Sequence, residues 1–163
     1  MEKVLLLLIG ASALCSVCSF TDRKYIFVYE PKTWTEAQSF CRSRYTDLVT
    51  VDSLDMVTML NGMVDTSKMG SVTEAWIGLS FVAVSWQWSL TDETFYSSNA
   101  NFRKWNTGEP NSAWFTAECA QMYDSGTWND APCEWKRQFF CSSISDVSPS
   151  ASVGPGLSGF VHH

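Results

Sequence analysis

Glu109-Pro110-Asn111 and Trp128-Asn129-Asp130 each set a carboxylate and a side-chain amide almost side by side. Their oxygens are hard donors, the chemistry that suits calcium rather than zinc or copper. Cys119 lies between the two segments and Cys133 just beyond the second, so a disulfide could hold them together. Calcium takes six to eight oxygens. The side chains of Glu109, Asn111, Asn129 and Asp130 leave coordination positions open. A ligand with two adjacent hydroxyls, which is to say a sugar, would fill them.

These segments do not stand alone. Cys41, Trp76-Ile77-Gly78-Leu79, Glu109-Pro110-Asn111, Cys119, Trp128-Asn129-Asp130, Cys133 and Cys141 follow in that order. Each motif is weak by itself, but the ordered set resembles the C-type lectin domain over roughly residues 25 to 142. The resemblance implies an α+β fold of the C-type lectin-like type. Two helices flank small antiparallel sheets, with a long calcium-binding loop and two disulfides, Cys41–Cys141 and Cys119–Cys133. It implies Ca2+ held by Glu109, Asn111, Asn129 and Asp130, with the same four residues serving sugar hydroxyls: carboxylates accept from them and amides donate to them. In the family the bond before the proline is usually cis, as Glu109-Pro110 would then be. Family members with Glu-Pro-Asn tend to take mannose-class sugars and those with Gln-Pro-Asp galactose-class sugars. The implied partners are therefore mannose-type glycans on glycoproteins or microbial surfaces.

One position departs from the pattern. The family usually carries a further glutamate ligand two residues before the cysteine matching Cys119, and here that residue is Ala117. Glu118 lies one residue late, and neighbouring strand residues face opposite ways. Glu118 is therefore a doubtful metal ligand unless a one-residue bulge turns it. Fewer charged ligands weaken calcium binding, toward roughly 0.1–1 mM. The alternative reading is a protein-recognition module of the same fold that has lost sugar binding. Ser112 stands where members with an auxiliary calcium site often have an acidic residue.

Composition narrows the field. The chain has 163 residues and a formal charge of −6, which argues against nucleic acid and polyanions. The pairs Arg23-Lys24, Arg103-Lys104 and Lys136-Arg137 read as solvated surface. Both histidines, His162 and His163, are at the extreme C-terminus, so no Ser-His-Asp triad, Cys-His pair or HExxH site can be built in the body. No carboxylate pair is marked for acid–base work, and the expectation is a non-enzyme. Val4 to Leu14 is almost wholly apolar behind Lys3, and residues 1–19 read as a secretory signal peptide rather than a membrane anchor. The expected protein is secreted and extracellular, without membrane insertion. Removing Cys15 and Cys18 with the signal leaves Cys41, Cys119, Cys133 and Cys141, with three possible pairings. None of these four has the close spacing of a zinc knuckle.

The elements that must position the motifs follow from periodicity. Tyr25–Tyr29 reads as a strand and Glu30-Pro31-Lys32 as its end. Thr33 with Glu36 makes a capping box for a helix whose stripe is Trp34, Ala37, Phe40 and Cys41. Leu48–Val51 reads as a short strand. Ser53 caps a second helix with Met56, Val57, Leu60 and Val64 on its apolar face; the methionines there read as core rather than a soft-metal site. Ala75–Leu79 is an apolar strand in which Gly78 allows close backbone packing. Trp86 and Trp88 share one face of another strand and read as core rather than sugar platforms. From Leu90 to Thr116 regular signals fade, and the aromatics and the acidic motif mark an ordered functional loop. Cys119–Tyr123 is a strand, Asp124-Ser125-Gly126 a turn, Thr127-Trp128 the start of its partner, and Gln138–Ser142 the last strand. The domain is expected over 20–143 and a Ser/Gly/Pro-rich disordered tail over 144–163. No Asn-x-Ser/Thr acceptor occurs.

Overall fold

The structure, a computed structural model, describes residues 20–92, 99–111 and 118–147. The expected signal peptide, Ser112, Ala117 and residues 148–163 lie outside them.

Strand β1 (Phe20–Lys32) leads into α1 (Trp34–Arg44). Thr33 accepts from the Glu36 main-chain N–H, and the Glu36 carboxylate accepts from the Thr33 N–H at 2.9 Å. The box satisfies two helix-end donors that have no partner within the helix. Then come β2 (Asp47–Leu48), α2 (Leu54–Met63, capped by Ser53), a 3-10 turn at Thr66–Lys68, β3 (Ala75–Val82), β4 (Ser85–Trp88), β5 (Glu118–Met122), β6 (Trp128–Pro132) and β7 (Arg137–Val147). The strands form one sheet in the order β1-β7-β3-β5-β6, with β2 on β7 and β4 on β3. Every pairing is antiparallel except β3 with β7. This is the expected C-type lectin-like α+β fold, with its small sheets joined into one mixed sheet.

Side-chain alternation splits the interior into two layers. Trp34, Ala37 and Cys41 of α1 pack with Leu48, Trp76, Cys119, Ala131, Phe139 and Cys141 on one face. Met56, Val57 and Leu60 of α2 pack with Ile77, Leu79, Trp88, Ala120, Met122, Trp128 and Phe140 on the other. Cys41–Cys141 closes 100 residues and ties α1 to β7, and Cys119–Cys133 ties β5 to the chain just after β6. The longer loop is worth up to about 4.7 kcal/mol in the chain-entropy model. Gly78 is in close contact with the chain, its N–H donating to Val49 O at 2.8 Å.

Some boundaries move. β7 continues to Val147 because Ser143 to Val147 pair with Phe20 to Lys24, so 144–147 belong to the sheet rather than to a tail. β1 is correspondingly longer than Tyr25–Tyr29. Of the expected Leu48–Val51 strand only Leu48 joins the ladder, together with Asp47 before it, although Val49 N–H still reaches Phe140 O. The arginines of the basic pairs are not free surface. Arg23 pairs with Asp52 at 3.8 Å, Arg103 donates to three main-chain carbonyls, and Arg137 donates to Gln121. Isolated sequence position does not reveal which long side chains lie along the body with only their heads engaged.

Candidate functional site

The loop that carries Glu109 is fastened to β6 by main-chain bonds around a single tryptophan. Trp128 N–H donates to Lys104 O at 2.8 Å, and Asn106 N–H donates to Trp128 O at 2.7 Å. Trp105 thus forms a parallel bridge to Trp128, whose side chain is fully buried beneath the loop. Phe102, Trp105 and Trp88 meet the Trp128 ring edge-on at 5.8–6.0 Å. Trp88 Nε1–H also holds Ala100 O at 2.9 Å. Trp86 stacks obliquely on Trp105 at 4.7 Å, so both tryptophans of β4 serve packing, as their alternation predicts.

From Asn106 the chain turns. Gly108 takes φ +87°, a conformation open to glycine without a Cβ penalty, and Glu109 N–H closes the turn on Asn106 O at 3.0 Å. The Glu109-Pro110 bond is cis, as the resemblance implies. Asn111 then comes down on β6: its main-chain N–H donates to Asp130 Oδ1 at 3.0 Å, and its Nδ2 donates to Glu109 Oε1 at 2.9 Å. Asp130 is only 7% exposed. Glu109 Oε2 is buried and has no hydrogen-bond partner. Burial first, and then the neighbouring Asp130, push the Glu109 carboxyl above its ordinary value. Glu109 in turn helps burial push the Tyr123 hydroxyl up.

Glu109, Asn111 and Asp130 therefore converge. Asn129 does not join them. It neighbours Asp130 on β6, so the two side chains leave opposite faces of the strand. Asn129 Oδ1 accepts from Gln121 Nε2 at 2.9 Å, and Asn129 Nδ2 donates to Asp130 O at 3.1 Å. Glu118 pairs with Pro132 while Ala120 pairs with Asp130, so Glu118 lies on Asp130's side of β5 and is buried. Even so, among the described residues no group of three or more His, Cys, Asp or Glu side chains gathers that could hold a metal ion. The residues missed in the sequence are Gln121 and Arg137. The one available signal was a glutamine within the otherwise apolar run Cys119–Met122, a buried polar group that must find partners.

The fit to calcium rests on the donor set itself. Two carboxylates and the Asn111 amide carbonyl are hard oxygens at one place. The buried, unpartnered Glu109 Oε2 beside Asp130 is a concentration of negative charge that a cation would relieve. These residues fit the ion, with one amide ligand fewer than the resemblance implied, because Asn129 does not join them.

The family model of the lectin C-type domain matches residues 30–143. L-selectin of Bos taurus is 32% identical over 137 residues, covering 81% of this chain and 35% of its own length. The chain thus spans about a fifth to a third of the length of the curated relatives it matches. Among solved structures, a calcium-independent type II antifreeze protein superposes with a TM-score of 0.61 at 22% identity, over 77% of this chain and 88% of that one. The carbohydrate-recognition domain of cow CD23, solved in the presence of a GlcNAc2Man3 oligosaccharide, gives 0.60 at 24% identity, over 77% and 91%.

Proposed function

This chain belongs to the C-type lectin domain family, and we propose that it is a secreted, calcium-dependent carbohydrate-binding protein of mannose-type preference. The observation that carries this is the convergence of Glu109, Asn111 and Asp130 under the loop pinned to Trp128, with Glu109 Oε2 buried and unpartnered. When bound, calcium supplies open coordination positions for two vicinal hydroxyls. Glu109 accepts from a hydroxyl proton through Oε2, and Asn111 donates to a hydroxyl oxygen once Nδ2 leaves Glu109 Oε1. Asp130 orients Asn111 by accepting its main-chain N–H. A single site of this kind is weak, and binding gains strength when several sites engage one surface. Among the described residues no helix is long and apolar enough to cross a membrane. Residues 1–19 are proposed as a signal peptide, 20–147 as the domain and 148–163 as a tail.

The test is retention of the refolded chain on mannose resin with calcium, followed by elution with a chelator. Chelator-reversible retention is the expected result. Absence of retention together with no calcium effect on thermal unfolding would overturn the proposal. A second reading, a protein-recognition or surface-binding module without sugar, is favoured by the Asn129 carbonyl facing Gln121. The similarity in fold to a calcium-independent antifreeze protein supports the same reading.

A further inference from the structure

Beside β4 lies an open groove of about 280 Å³ that none of Glu109, Asn111 or Asp130 lines. Its walls are Trp86 and Trp88, and its rim carries the exposed side chains of Gln87, Thr91 and Asn101. Trp86 is held by Phe81 at 5.5 Å and Trp105 at 4.7 Å, so the wall is in place before any ligand arrives. Arg103 lies half-buried in the groove, its guanidinium over the Trp88 ring at 5.3 Å. Nη1 donates to Ala100 O at 2.9 Å and to Phe102 O at 2.8 Å, and Nη2 donates to Trp86 O at 3.2 Å. A guanidinium carries five N–H donors, so Nε–H and one Nη2–H are left over. Among the described residues no carboxylate comes within ion-pair distance of Arg103. Burial is what pulls its guanidinium below the ordinary value. A half-buried cation with spare donors and no countercharge favours an anion.

We propose that this groove binds, without calcium, a sugar residue carrying a single anionic group, a carboxylate or a sulfate ester. This goes beyond the calcium-dependent reading and does not depend on it. Arg103 donates its spare N–H groups to the anionic oxygens. The indole wall covers the apolar C–H groups of the sugar ring, and Gln87, Thr91 and Asn101 meet its hydroxyls at the rim. A simple anion leaves the wall and the rim unused, and a neutral sugar leaves Arg103 unanswered. The net charge of −6 repels polyanions at a distance, so one anionic group held by short-range bonds fits where a run of them does not.

The experiment follows the Arg103 Nε–H and Trp86 indole N–H signals of the isotope-labelled full chain by NMR, with chelator present. The titrants are methyl glucuronide, a glucose sulfate ester, methyl glucoside, acetate, sulfate ion and an acidic peptide. Both signals should move saturably with at least one acidic sugar, with Kd of about 1–10 mM, the scale for a ligand of this size. Which acidic sugar binds tells carboxylate from sulfate. Methyl glucoside should bind about tenfold more weakly or worse, the worth of one hydrogen bond to a charged group. Acetate and sulfate ion should also bind more weakly than the acidic sugars. Arg103→Gln should abolish the response, but Arg103 also ties three carbonyls, and a second pair of variants spares them. Gln87→Glu and Gln87→Lys change the charge at the exposed rim. They should bind the acidic sugar about fivefold less and about fivefold more tightly than the native chain, the scale of one unit charge in water. The proposal is overturned if neither acidic sugar moves the signals, or if methyl glucoside or the free anions bind as tightly. It is overturned as well if the acidic peptide binds more tightly, or if both Gln87 variants bind as the native chain does. A response that appears only when calcium replaces the chelator assigns the sugar to the carboxylate site and overturns it too. Retention on mannose resin is a separate readout, so the calcium reading stands or falls by itself.

Discussion

Replacing Glu109 with Gln should move the metal-free and calcium-loaded proteins in opposite directions. The Glu109 carboxyl is raised by burial first and by Asp130 second. A carboxyl whose folded value lies above its unfolded value costs the fold stability at high pH, and the cost disappears as pH falls from the folded toward the unfolded value. At neutral pH the native chain bears this cost, and the Glu109→Gln variant would not. The new amide keeps an oxygen for Asn111 Nδ2 and gains a donor toward Asp130. The metal-free variant should therefore melt at a higher temperature than the native protein. Calcium should reverse the order. With two carboxylate ligands the site falls in the range of about 0.1–1 mM, so about 10 mM calcium adds about 1.4–2.7 kcal/mol to the native protein. For a domain of this size that is a rise in Tm of about 4–13 °C. Losing one of two charges weakens the site by about a hundredfold, leaving less than about 0.5 kcal/mol of the calcium effect. The assay is thermal unfolding by circular dichroism at neutral pH, with chelator and with calcium. A variant that melts below the native protein without metal would refute the charge argument. One that keeps the full calcium shift would refute Glu109 as a ligand.

Other outcomes follow from the same geometry. The calcium affinity of the native chain should fall on acidification, because protons compete for the raised Glu109 carboxyl; titrations at several pH values check this. Combining Glu109→Gln with Asn111→Asp should move resin preference from mannose toward galactose, and unchanged mannose retention would contradict the proposed selectivity. In Gly78→Ala a new Cβ would lie 2.8 Å from Val49 O, a main-chain atom that cannot step aside. The cost should be about 3 kcal/mol, and the urea midpoint should drop by about 1.5–2 M. Thr33→Ala should cost about 1 kcal/mol by removing the cap. It should soften the acid limb of stability only in part, because the larger hydrogen bond holding the Glu36 carboxyl low comes from the main-chain N–H of residue 33, which alanine keeps, and only the side-chain share of that support, lost as pH falls through the folded value, disappears.

Local chemistry was legible wherever a motif is complete within one turn or one strand. Thr33 and Glu36 announce the start of α1, Gly126 sits at φ +80° in the expected turn, and Gly78 is placed where no Cβ fits. The pairings Cys41–Cys141 and Cys119–Cys133 came with the family resemblance, since cysteine count alone left three. Arg137 was not legible as anything but surface, because its partner Gln121 is sixteen residues away and meets it only across the folded sheet.

The sequence alone therefore determined the donor chemistry: two carboxylates and two amides in short motifs, hard oxygens in a chain whose two histidines both lie at its extreme C-terminus. Tertiary structure alone decided which of them meet. Alternation along β6 sends Asp130 toward Asn111 and Asn129 toward Gln121, and the bridge between Trp105 and Trp128 brings Glu109 down on Asp130's side. Adjacent residues in a strand are adjacent in sequence but lie across the sheet from one another, and only the register of β5, β6 and the loop shows which side each one serves.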